Sequence, residues 1–278
     1  MKVSHTRSAW YFFKTVLVRS VLISCVTMTG GVVFLYGQTE QQLQGQMLPY
    51  TFLGEKYEPG KNSIKGYLSV PAGNARSLPA LILIHEWWGL NDDIKRKADE
   101  FAAEGYVAFA VDLYGGRSTT DAGEARKLSA AVRKDVGAAF SNLKSAIAFL
   151  KNYPRVDGDR IGSVGWCFGG GWSYQMAKND LNTKVSVIYY GFFNPSDDLS
   201  KMRAEIIGHF AENDRGIKID SVREFQVKLK TLNGNHEVYI YPNTTHGFAS
   251  RKGNNPVYKK DAAELAMQRT LAFLKRQL

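Results

Sequence analysis

The uninterrupted apolar runs ALILIH (80–85) and YVAFAV (106–111) constrain the fold more than any other feature of the chain. A strand with one wet face alternates apolar and polar residues. A strand covered on both faces does not, and such strands belong to parallel sheets whose crossovers are helices. Helical patterns follow these runs. DDIKRKADEFAAEG (92–105) is amphipathic, has Asn91 placed to cap its start, and ends at Gly105.

The alternation continues to the C-terminus. Helical patterns at 122–132 and 135–152 precede the strand RIGSVG (160–165), and the helix after that strand runs to Lys178. KVSVIYYG (184–191) and AEIIGHFA (204–211) read as strands. IDSVREFQVKLKTLNG (219–234) is an amphipathic helix, HEVYIYP (236–242) a strand, and the last twenty residues a closing helix. Upstream, YTFLGEKY (50–57) and SIKGYLSV (63–70) bracket the turn signal EPGKN. The expectation is a single α/β domain, residues 49–278, with a mostly parallel sheet and helices on both faces.

Residues 1–39 stand apart. They carry Lys2, Arg7, Lys14 and Arg19 and no acid, and the stretch from Ser20 to Gly37 is uncharged. This reads as a targeting or anchor segment: a cleaved signal peptide, a retained membrane anchor or, from LISC, a lipoprotein box. A polar linker at 40–48 would join it to the domain. Each of the three readings exports the domain, leaving it periplasmic, secreted or membrane-anchored outside the cytoplasm. The net charge of +10 falls to +6 without this segment. No basic stripe with interleaved aromatics is present, so nucleic acid is not an expected partner. The charge supports at most a preference for anionic small substrates. The five histidines lack ligand spacing, and no metal or cofactor is expected.

The chemistry centres on GWCFGG (165–170). Glycines two before and two after a central residue allow a sharp strand-to-helix turn that exposes that residue. The central residue is Cys167, the single thiol of the domain, since Cys25 lies in the leader. Open α/β sheets place their sites beyond the carboxyl ends of the strands. Collecting polar residues there adds Glu86, Arg117, Asp214 and His246. The order Cys, Asp, His follows the nucleophile, acid, base order of hydrolases built on such sheets. Plainer roles exist: Cys167 as core, Asp214 as a helix cap with Glu212 or Asp220 as the true partner, Glu86 as a turn residue, and Trp87 and Trp88 as packing.

HEWWGL, VDLYGGR, GWCFGG, END and HGF, in this order, resemble the dienelactone hydrolase (carboxymethylenebutenolidase) family of the α/β-hydrolase fold, from about residue 66 to the C-terminus. The resemblance implies that Cys167 is the nucleophile, His246 the general base and Asp214 its orienting acid. It implies that Glu86 partners the thiol at rest and takes its proton when substrate arrives. The N–H groups of Trp87 and Phe168 match the oxyanion hole. Arg117 and Arg251, each slightly displaced along the chain, match a substrate-carboxylate clamp, and Trp88 walls the pocket.

A thiol is only a few per cent ionised at neutral pH, and a helix start favours its anion. Thiolates attack activated carbonyls well and ordinary esters poorly. The expected substrate is therefore a small activated ester or lactone. The alternatives are an esterase or thioesterase of the same fold with another substrate, and a non-catalytic binding protein. The last would be expected to lack a triad member or the glycine turn.

Overall fold

In the computed structural model, which describes residues 42–50, 64–250 and 255–278, the apolar runs become neighbours. Strand β3 (Leu78–Ile84) pairs in parallel with β4 (Val107–Val111) on one side and with β5 (Val156–Trp166) on the other. Beyond β5 come β6 (Val185–Tyr189), β7 (Glu205–Ala211) and β8 (Glu237–Tyr241), all parallel. Past β4 lie β2 (Ile64–Ser69) and β1 (Gln46–Tyr50), both antiparallel to their neighbours. The sheet has eight strands in the order β1-β2-β4-β3-β5-β6-β7-β8.

Six helices cover it: α1 (Asp92–Ala103), α2 (Ala122–Lys134), α3 (Val136–Lys151), α4 (Phe168–Lys178), α5 (Ile219–Lys230) and α6 (Lys260–Gln277). Successive β3 residues point to opposite faces. Leu81 and Leu83 pack with Ile94 and Phe101 of α1 and Phe273 of α6. Ala80, Ile82 and Ile84 pack with Leu143 and Ile147 of α3 and Met176 of α4. Both faces are therefore dry, which is why the strands carry no alternation. Full burial of each such side chain contributes roughly 1.5–3 kcal/mol.

Asn91 caps α1 as expected, its side chain accepting the Ile94 N–H at 3.2 Å. Two boundaries differ from the sequence expectation. β1 begins at Gln46, inside the stretch expected to be a linker, because pairing with β2 satisfies its backbone while Gln46, Met47 and Pro49 stay exposed. β5 begins at Val156, ahead of the expected Arg160, with a register irregularity opposite Leu78 and Ala80. The strand expected at 50–57 lies, apart from Tyr50, outside the described residues, as does the segment 1–39 expected to be a targeting or anchor segment. No helix among the described residues is long and apolar enough to cross a membrane.

Candidate active site

Cys167 is the hinge between β5 and α4. Its backbone sits at φ 53°, ψ −114°, a region that side chains rarely occupy. The close approach of helix to strand explains the flanking glycines. A Cβ on Gly165 would fall on the Gly169 carbonyl, and one on Gly169 would fall on the Ile84 carbonyl. The Cys167 N–H is tied to Tyr189 O at 2.9 Å, so the turn is anchored to β6 and the thiol faces outward, partly exposed.

The ends of β7 and β8 bring the other two residues. His246 Nδ1 lies 2.7 Å from Asp214 Oδ2, and the Asp214 side chain is 2% exposed. Asp214 also accepts the N–H groups of Gly216 at 2.8 Å and Ile217 at 3.1 Å. Burial alone would raise its carboxyl. The hydrogen bond and charge of His246, with those two amides, hold it below the ordinary carboxylate range. Burial opposes charge on His246 as well, but hydrogen bonds and negative charge from Asp214 and Cys167 prevail, and its pKa is pushed up to about 10. The rival carboxylates are engaged elsewhere: Glu212 accepts the Asn243 N–H, and Asp220 pairs with Arg223.

Glu86 follows β3 and is buried, but its partners differ from the expectation. Oε2 accepts from Ser250 at 2.8 Å and Oε1 from Tyr190 at 3.4 Å. Among the described residues it makes no hydrogen bond to the thiol. Burial raises its carboxyl, and the nearby charges of Lys97 and His246 oppose that rise.

Two cavities meet at the thiol, each lined by both Cys167 and His246. One, about 390 Å³, has Glu86, Trp87, Trp88 and Ser250 in its wall. The other, about 400 Å³, is walled by Phe168, Trp172, Phe192 and Ile217, with Arg133 on its lining. The amide N–H groups of Trp87 and Phe168 have no acceptor among the described residues, and that of Phe168 opens α4. Trp87 and Trp88 are tilted against each other, with ring centroids 4.8 Å apart.

Arg117 does not join the site. Asp112 accepts the N–H groups of Tyr114 and Gly116 and curls the loop, so that Arg117 Nε turns back to Tyr114 O at 3.4 Å. It lines a separate hollow beside Asp112 and Asn142. Arg251 lies outside the described residues.

Sequence reasoning missed Tyr190, Ser250 and Arg133. Tyr190 directly follows β6, and the same strand-end rule would have found it had tyrosine been sought. It is buried at φ 38°, with its ring 5.2 Å from that of His246. Ser250, four residues beyond His246, and Arg133, on a helix face, carry no signal of their own.

The model of the dienelactone hydrolase family matches residues 64–278. Protein usf of Aquifex pyrophilus is 33% identical over 238 residues, covering 81% of this chain and 100% of that protein. A Bradyrhizobium protein described as a probable 2-oxo-3-(5-oxofuran-2-ylidene)propanoate lactonase is 28% identical, covering 76% of this chain and 89% of its own length. Among solved structures, a dienelactone hydrolase-like promiscuous phosphotriesterase from metagenomic libraries superposes with a TM-score of 0.74. It is 19% identical and covers 84% of this chain and 98% of its own.

Proposed function

The chain belongs to the dienelactone hydrolase family and is a hydrolase acting on esters; from that premise we propose that it works through a Cys167 acyl-enzyme on an activated small ester or lactone. The observation that carries this reading is a thiol on a strained strand-to-helix turn beside a histidine held by a buried aspartate.

His246 takes the Cys167 proton as the sulfur attacks the carbonyl carbon. Negative charge moves to the carbonyl oxygen, where the N–H groups of Trp87 and Phe168 receive it. The tetrahedral intermediate collapses, the carbon–oxygen bond breaks, and the His246 proton leaves with the alcohol. In a lactone that alcohol stays attached to the acyl group. Water then gives a proton to His246 and its hydroxide to the thioester, releasing the acid and restoring the thiol. Asp214 holds the ring in orientation and offsets the imidazolium charge. Glu86, buried beside this path, shapes the wall through its bonds to Ser250 and Tyr190.

The test is alkylation of the full-length chain carrying Cys25→Ser, which leaves Cys167 as its one thiol. One equivalent of iodoacetamide, mapped to Cys167, is expected to abolish hydrolysis of p-nitrophenyl acetate and of an enol lactone. Full activity after complete alkylation refutes the acyl-enzyme.

A further inference from the structure

Five large apolar side chains stand exposed among the described residues, and two of them line the same cavity. Phe192 is 69% exposed and Val136 45% exposed, and both border the cavity that ends at Cys167. Exposed phenylalanine is unfavourable in water unless a ligand covers it, and apolar residues gathered at a pocket mouth mark a binding surface. The remaining walls are chiefly aromatic and aliphatic, from Phe168, Trp172 and Ile217, with the Gln175 amide among them. A cavity of about 400 Å³ is larger than a small lactone needs.

One feature does not suit a neutral hydrocarbon. Apart from His246, Arg133 is the one cationic side chain among the described residues that lines this cavity. Its guanidinium carbon lies 5.3 Å from the centre of the Phe168 ring, and Nη1 donates to Ser129 Oγ at 3.3 Å. No carboxylate lies within ion-pair distance of it among the described residues. A guanidinium stacked on a ring keeps its edge free, and that edge matches a carboxylate.

We propose that this cavity receives an acyl group with an aromatic or similarly apolar body ending in a carboxylate, with Phe192 and Val136 covering the body and Arg133 binding the anion. The inference rests on the ester-hydrolase reading above. It places the acyl side here because the cavity starts at the thiol and at Phe168, whose N–H faces the carbonyl oxygen in that reading. The anion-binding residue is then Arg133 on α2, instead of Arg117 in the loop after β4. The reaction is the hydrolysis already written, with no added reactant.

The experiment compares p-nitrophenyl esters of 4-carboxybenzoate, 4-methylbenzoate and acetate on the wild-type protein and on Arg133→Gln, Phe192→Ala and Arg117→Gln. Loss of one charge-assisted contact at a partly exposed site is expected to lower the carboxy-to-methyl ratio of kcat/KM about tenfold in Arg133→Gln. Phe192→Ala is expected to lower both aryl esters relative to acetate, and Arg117→Gln to leave the ratio in place. A ratio that moves less than about twofold in Arg133→Gln, or acetate preferred over both aryl esters, overturns the inference and leaves the acyl-enzyme standing. A second arm needs no turnover. Calorimetric titration with 4-acetylbenzoate and 4-methylacetophenone is expected to show tighter binding of the anion, lost in Arg133→Gln. If that holds while no ester is hydrolysed, the pocket assignment survives and the ester-hydrolase reading fails. If neither ligand binds, the pocket assignment is wrong.

Discussion

At His246 burial and charge pull in opposite directions, and charge prevails. The sign follows from linkage. A raised imidazole pKa means that the folded protein holds the proton more tightly, so this contribution is full below about 6.5 and disappears as pH rises through about 10. In the proposed mechanism the ring must carry a proton to release the alcohol, so kcat/KM is expected to fall on an alkaline limb that tracks His246. Asp214→Asn keeps the shape and removes the anion. It is expected to cost about 10²- to 10⁴-fold in kcat, and to return the ring toward its ordinary titration, read by proton NMR of the imidazole. A ring that titrates as before would show that Asp214 is not the source of the shift. Much of this site was legible because strand ends can be located from apolar runs, which put Cys167, Asp214, His246 and Glu86 on one edge. Arg117 passed the same filter and is elsewhere, because loop curvature depends on hydrogen bonds such as those of Asp112 that no run of residue types reveals.

The strand–turn–helix element around Cys167 depends on contact distance more than on glycine flexibility. Gly165 has no room for a methyl group between β5 and the α4 backbone. Gly165→Ala is therefore expected to lower stability by about 1–3 kcal/mol, with activity lost further as the thiol shifts. A urea midpoint equal to wild type would mean that the helix can slide, and that the turn is less constrained than its geometry indicates. The fold's elements were mostly readable for a related reason: a strand buried on both faces leaves little place for polar residues, so burial writes itself into composition. β1 shows where that stops. It sits at the sheet edge, pairs through its backbone, and exposes Gln46 and Met47, so its residues look like those of a linker.

Across the whole molecule, buried polar groups join the sheet to its last helix. His209 contacts Tyr241 OH at 2.8 Å and Thr270 Oγ1 at 2.9 Å, and Thr270 also meets Tyr189 OH at 2.8 Å. Burial, with Arg269 nearby, pushes His209 down to about 3, so it is neutral in the folded protein. A depressed histidine stabilises fully above about 6.5 and loses that contribution as pH falls toward 3. Stability is expected to fall between pH 6.5 and pH 4 by about 1.4 kcal/mol per pH unit from this group alone, read as a falling melting temperature. A flat profile, or one unaltered in His209→Gln, would contradict this. The placement of His246 after β8 has another consequence, for biosynthesis. A ribosome makes the chain from its amino end, so Cys167 emerges well before the strand that positions its base. In the proposed mechanism the thiol has no base until β8 docks beside β7, so a product truncated before that strand is expected not to hydrolyse esters. In the proposed mechanism, ester hydrolysis therefore waits on synthesis of β8 and of the loop after it that carries His246.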